Sequence, residues 1–139
     1  MTHAPHAVAE ALYARDACSQ ALGIEVVAVA ENSCVARLAV RSNMCNGFGI
    51  AHGGITFLLA DTAMAFASNA DNEVALAASA GIDWVAPVTA GDTLAATAER
   101  RWTGGRTTVW DIAVTNAAGD LVAMFRGRTR KTGRPVLDR

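Results

Sequence analysis

The chain of 139 residues has 52% hydrophobic side chains, enough for the core of one ordinary domain (residues 1–139) and too short a chain for two. Charged residues make up 18% and the formal net charge is −1, totals that exclude general disorder and indicate no nucleic-acid partner. The longest apolar run, residues 55–67, is interrupted by Asp61 and falls short of the ~20 residues a membrane span requires, so no membrane association is expected.

The opening Met1 to His6 has no basic stretch followed by an apolar one, which excludes a secretory signal and makes the cytoplasm the expected location. Residues from about 6 to 22 set Val8, Leu12 and Leu22 among alanines, a weakly amphipathic pattern that predicts one short peripheral helix closed by Gly23. From Ile24 the period becomes two. Ile24, Val26 and Ala28, then Cys34, Ala36, Leu38 and Val40, alternate with their neighbours and predict a hairpin turning at Glu31-Asn32-Ser33.

Residues 41–51 contain Asn43, Asn46, Gly47 and Gly49 and show no steady period, so a loop is expected there. Residues 54–70 are rich in Ala, Leu, Met and Phe and apolar on all sides apart from Thr56, Asp61, Thr62 and the far end, which predicts a helix buried over most of its surface. Four strand-like runs follow, at 74–85, 93–103, 107–115 and 121–129, with turn signals at Gly91-Asp92, Gly104-Gly105 and Gly119-Asp120. The sum is an α+β chain of six antiparallel strands and one long helix. A sheet buries such a helix only by curling about it, unless a partner subunit covers the remainder.

Three cysteines (Cys18, Cys34, Cys45) at irregular spacing, with His52 the only histidine beyond the N-terminal tail, predict neither a disulfide framework nor a metal site. They read as small core or loop residues. Trp84, Trp102 and Trp110 fall in strand-like runs and are expected to pack there rather than to stack on a substrate.

The sharpest feature joins the loop to the buried helix: Asn46-Gly47-Phe48-Gly49-Ile50-Ala51-His52-Gly53-Gly54, then Asp61 within the helix. Two glycines at a helix start leave backbone N–H groups unpaired and unshielded, and the helix dipole adds positive potential there. Such donors suit an oxygen that gains negative charge during reaction. Asp61 lies seven residues past Gly54, ~10 Å along the axis at about 1.5 Å per residue, out of reach of a group held at the helix start. Joint action on one substrate therefore requires two subunits with their helices antiparallel. A lone aspartate in an apolar helix also suits a simple ion pair with an arginine.

Across nearly its whole length the chain resembles the hot-dog-fold thioesterases, specifically the phenylacetyl-CoA thioesterases of bacterial phenylacetate degradation. The matching residues are Tyr13, Asp16-Ala17-Cys18, Ala21-Leu22-Gly23-Ile24, Asn46-Gly47, His52-Gly53-Gly54, Leu59-Ala60-Asp61-Thr62-Ala63, Gly91-Asp92-Thr93-Leu94 and Phe125-Arg126-Gly127. The resemblance implies the hot-dog fold, an antiparallel six-stranded sheet wrapped around one long central helix, in a homodimer that commonly pairs into a homotetramer. It implies hydrolysis of phenylacetyl-CoA or its ring-hydroxylated relatives without a metal or cofactor, with Asp61 as nucleophile or general base and the Gly53 N–H as oxyanion donor. Asn46 matches a polar residue near the attacking water or thioester, and His52 a position that steadies the loop and the helix start. Gly54, Phe48 and Thr62 are candidates for substrate contact, although Phe48 also suits plain packing, Asn46 a left-handed turn before Gly47, and His52 a helix cap.

Half of the twelve basic residues fall in the last fourteen positions, opposed only by Asp138. Arg126, Arg128 and Arg130 share one strand face and are candidates for the phosphates of CoA, or else protect an edge strand from aggregation. Relatives often carry a polar amide where this chain has Arg15, so the acyl preference is open at that position. Hydrolysis of other aroyl or medium-chain thioesters, hydration of enoyl thioesters, and sensing of acyl-CoA without turnover are the competing readings. The His52-Gly53-Gly54 arrangement disfavours the hydratase, and the retained Asp61 disfavours the sensor.

Overall fold

The structure, a computed structural model, describes residues 3–138. The N-terminal segment is two helices, not one: α1 (Pro5–Ala14) and α2 (Ala17–Leu22). The break falls at Arg15-Asp16 because Asp16 caps α2, its carboxylate accepting from the Ser19 N–H at 3.0 Å and the Ser19 hydroxyl at 2.6 Å. Gly23 closes α2 in the left-handed conformation, as its position foretold. The Tyr13 hydroxyl donates to the Ile24 carbonyl at 2.6 Å and its ring meets Phe66, fastening α1 to the central helix.

Strands β1 (Glu25–Ala30) and β2 (Ser33–Ala39) form the expected hairpin, with Asn32 at φ 69° in its two-residue turn. The helix α3 (Gly53–Asn69) follows the loop, and after it come β3 (Glu73–Trp84), β4 (Thr93–Gly104), β5 (Thr107–Thr115) and β6 (Leu121–Pro135). All pairings are antiparallel in one sheet of order β1-β2-β4-β5-β6-β3. The last strand outruns its expected end at Thr129, because β3 offers partners along the whole segment, from Ala123 opposite Trp84 to Pro135 opposite Glu73.

The sheet curls about α3, which packs against all six strands and α1. Alternation decides the inner face: Cys34, Ala36 and Leu38 of β2, Leu94, Ala96 and Ala98 of β4, Trp110, Ile112 and Val114 of β5, and Phe125 of β6 are all buried. Small residues let the helix lie close. At Gly127 a Cβ would fall 2.3 Å from the Met64 sulfur and 2.9 Å from the Phe125 ring, so the strand has no room for a side chain there. Trp110 is buried as expected and donates to the Thr129 hydroxyl at 2.9 Å, whereas Trp84 and Trp102 are 56% and 57% exposed, contrary to the packing expected of them.

One stripe of α3 escapes the sheet. Gly54, Leu58, Asp61 and Ala65, spaced four, three and four residues apart, are exposed or half-buried, while most of the helix around them is buried. Among the described residues no helix is long and apolar enough to cross a membrane.

Candidate active site

The loop before α3 is built by Asn46. Its side-chain oxygen accepts from the Phe48 N–H at 2.9 Å and the Ile50 N–H at 3.4 Å, and its backbone N–H donates to the Ile50 carbonyl at 2.8 Å. The left-handed turn considered for Asn46 falls instead at Gly49, at φ 77°. With the oxygen occupied, it is the Asn46 amide NH2 that is left as a donor. The ring closed by Cys45 opposite Ala51 then leads directly into the helix.

His52 occupies the N-cap position but its side chain makes no capping bond. Its backbone does the fastening: the N–H donates to the Met44 carbonyl at 2.9 Å, and the carbonyl accepts from the Ile55 N–H at 2.9 Å. Among the described residues no acceptor takes the N–H of Gly53 or Gly54, which therefore stand as free donors at the positive end of a 17-residue helix. The two glycines differ in their surroundings. A Cβ on Gly54 would meet nothing within 4 Å, whereas one on Gly53 would lie 2.9 Å from the Trp84 indole.

A groove of about 340 Å³ opens beside this helix start, lined by Asn46, Gly53, Thr56, Trp84 and Val88 among others. Trp84 closes β3, and its indole N–H donates to the Gly53 carbonyl at 3.1 Å. Neither Trp84 nor Thr56 stood out in the sequence as a site residue. The only available signals were the position of Trp84 just ahead of Pro87, where a strand ends, and that of Thr56 one turn into a helix that starts at the glycines. A larger groove, of about 670 Å³, lies between α1 and the β1 edge and contains none of these residues.

Asp61 is half-buried on the uncovered stripe and belongs to none of the ion pairs among the described residues, so the arginine partner considered for it is not there. Burial pushes its carboxyl above the usual carboxylate range. Eight residues separate it from Gly53, a rise of ~12 Å at about 1.5 Å per residue, so within one chain the helix start and the carboxylate stay apart. Thr62 next to it is turned into the core, its hydroxyl donating to the Leu58 carbonyl at 2.7 Å, and it does not line the groove. Phe48 is 90% exposed and neither lines the groove nor packs against the core.

The three arginines of β6 lie on the outer face of the sheet, opposite α3. Arg126 is committed: its guanidinium grips Asp111 with two bonds of 2.6 and 2.8 Å, and Arg101 adds a third contact at 3.2 Å. The Arg126 hydrogen bonds hold the Asp111 carboxyl below its ordinary range. Arg128 and Arg130 have no ion-pair partner among the described residues, and Arg128 lines a shallow depression of about 310 Å³ with Arg126, Val109 and Gly81. Cys34 is buried, which pushes its thiol up to about 12, while Cys45 is half-buried in the loop and Cys18 is exposed. No group of three or more His, Cys, Asp or Glu side chains that could hold a metal ion occurs among the described residues.

A curled antiparallel sheet around a helix with a free glycine start, together with a match of residues 48–123 to the family model, places the chain in the thioesterase superfamily, hydrolases of thioesters on the hot-dog fold. Among individual proteins it is 42% identical over 133 residues to the acyl-coenzyme A thioesterase PaaI of Escherichia coli K12, covering 96% of this chain and 95% of that one. The solved structure of the E. coli PaaI protein from the phenylacetic acid degradation operon matches with a TM-score of 0.92 at 41% identity, over 94% of this chain and 95% of that chain. A variant of the phenylacetic acid degradation protein PaaI from Thermus thermophilus matches with a TM-score of 0.78 at 34% identity, over 82% of this chain and 97% of that chain.

Proposed function

We propose that the protein hydrolyses phenylacetyl-CoA or ring-hydroxylated phenylacetyl-CoA to the free acid and CoA, in a homodimer whose helices α3 run antiparallel. One observation carries the reading. Among the described residues, a single helix presents free N–H donors at its glycine start and, two turns on, an unpaired half-buried carboxylate on a stripe the sheet leaves uncovered. In this arrangement the thioester oxygen sits at the Gly53 N–H of one subunit, while Asp61 of the other attacks the carbonyl carbon or draws a proton from the attacking water. The donors strengthen as the oxygen gains charge in the tetrahedral transition state. The Asn46 amide NH2, on the same groove, supplies a further donor to the thioester or the water. Gly54 adds an N–H, and Phe48 reaches substrate only where a second subunit completes the pocket, whereas Thr62, turned into the core, stays out of it.

The CoA tail would follow the surface to the outer face of β6, where Arg128 and Arg130 keep free charges for its phosphates. The exposed edge of β3 and the uncovered stripe give a second copy apolar surface to cover, and pairing of dimers into a tetramer is in keeping with it. The name of the E. coli relative supports the acyl-CoA substrate, and the operon named with its structure supports the arylacetyl group. The cytoplasm is the expected location. Steady-state release of CoA thiol from phenylacetyl, hydroxyphenylacetyl, benzoyl and straight-chain thioesters is the test. Arylacetyl thioesters should lead by about ten-fold or more in kcat/KM, ~1.4 kcal/mol of transition-state preference. A panel with no turnover would leave acyl-CoA binding without catalysis as the better account.

A further inference from the structure

Trp84 is an unusual tryptophan, because it is more than half exposed yet held in one orientation. Its indole N–H is tied to the Gly53 carbonyl at 3.1 Å, and the Cε2, Cζ2 and Nε1 edge of the ring lies against Gly53 so closely that a Cβ there would fall 2.9–3.0 Å from it. An exposed tryptophan without a task would be expected to adopt several rotamers, whereas this one is braced at the mouth of the groove that also contains Asn46 and Thr56. Apart from Pro87, the remaining wall is made of small or branched aliphatic groups such as Ile50, Ala51, Val88 and Val122, with no second aromatic ring. The indole is therefore the one aromatic surface beside the free N–H donors, and a thioester carbonyl seated at Gly53 would bring the first carbons of its acyl group next to it.

We infer that Trp84 is a specificity-determining residue, a fixed aromatic wall that selects planar aryl groups over flexible alkyl chains in the acyl subsite. Ring–ring contact favours an aryl group held in an offset or edge-on geometry, and a tethered indole offers it without first having to be ordered. The inference rests on the proposed arylacetyl-CoA thioesterase activity. A purely structural Trp84, propping the helix start, would slow every thioester alike and leave their ratio untouched.

The experiment is a comparison of kcat/KM for phenylacetyl-CoA and hexanoyl-CoA in the wild type, Trp84→Leu and Trp84→Phe. Because each enzyme is compared with itself, a fraction of unfolded variant cancels in the ratio. Trp84→Leu should lower the phenylacetyl to hexanoyl ratio by about ten-fold. Trp84→Phe, which keeps a ring and loses the N–H, should keep most of the ratio while reducing both rates. Should Trp84→Leu prove too unstable to assay, the relative inhibition constants of S-(2-phenylethyl)-CoA and S-hexyl-CoA against wild type and Trp84→Met decide instead, with the aryl preference lost in the variant and its survival there overturning the inference. A wild type without aryl preference overturns both this inference and the substrate proposed above. A wild-type preference that survives intact in Trp84→Leu, or is lost in Trp84→Phe, overturns this inference alone.

Discussion

Burial holds the Asp61 carboxyl above the ordinary carboxylate range, so the form a nucleophile or base needs is the one the fold disfavours. The sign of the consequence follows from proton counting. Around the two pKa values the folded state binds more protons than the unfolded one, so the Asp61 contribution to stability falls as pH rises and is unfavourable at neutral pH. Asp61→Asn is thus expected to unfold at a higher temperature than the wild type near pH 7.5, while its kcat drops by ~10²-fold or more. Thermal melts and CoA release measured on the same preparations check both halves. Wild-type kcat should also decline as pH falls through the raised Asp61 value, ahead of any acid unfolding. At Gly53 the limit is steric: Gly53→Ala drives a methyl into the Trp84 indole and should cost more activity than Gly54→Ala, whose methyl points into open space.

The arginines separate in the same way. Arg126 is already engaged by Asp111, an exposed pair worth about 0–1 kcal/mol, so Arg126→Ala should barely change thermal stability. Arg128→Ala should instead raise KM for phenylacetyl-CoA several-fold at low salt and leave turnover of a phosphate-free phenylacetyl-N-acetylcysteamine thioester unchanged; equal effects on both would remove Arg128 from the CoA path. That Arg126, Arg128 and Arg130 share a face was legible from their spacing alone. That Asp111 occupies Arg126 was not, since the pairing of β5 with β6 brings together residues fifteen apart with no local signal.

At the level of elements, the helix and the strands were legible because each has a clean period and strong turn residues, as at Gly105 and Gly119. The failures have local causes. Alanine-rich sequence over 6–22 favours helix throughout and hides the break that the Asp16 cap imposes. The segment Lys131-Thr132-Gly133-Arg134-Pro135 carries a glycine and a proline that argue against a strand, and it becomes one only because β3 is there to pair with it. Gly127 shows the same precedence of packing over propensity. Valine is the better strand former, yet Gly127→Val must displace Met64 and Phe125 and is expected to destabilise the fold by ~1–3 kcal/mol, seen as a lowered Tm. An unchanged Tm would mean that α3 can move away from β6.

On the scale of the whole molecule, six antiparallel strands around one buried helix were legible because an all-round apolar helix admits few other covers. The order that sends β3 to the sheet edge beyond β6 was not, being a matter of long-range pairing. Asp61 and the helix-start glycines could be picked out from the sequence, but Trp84 could not, since its importance comes from a contact thirty-one residues away. The incomplete cover of α3 ties these scales together. Leu58, Asp61 and Ala65 lie on the stripe that the sheet leaves uncovered, and in the proposed dimer a second subunit covers them and brings its carboxylate to the glycine start.

The most direct test is complementation between two inactive chains, Asp61→Ala and Gly53→Pro, carrying different affinity tags and purified as heterodimers through both. Proline at the first helical position removes the N–H donor in a place where helices accept it, but its Cβ also presses on the Trp84 indole, so thermal melts of both homodimers must first show each variant folded. A site shared between subunits is intact once per heterodimer, so about half of the wild-type turnover should return, while either homodimer alone stays inactive. Heterodimers as inactive as the two homodimers would contradict the shared site and require Gly53 and Asp61 to act within one chain.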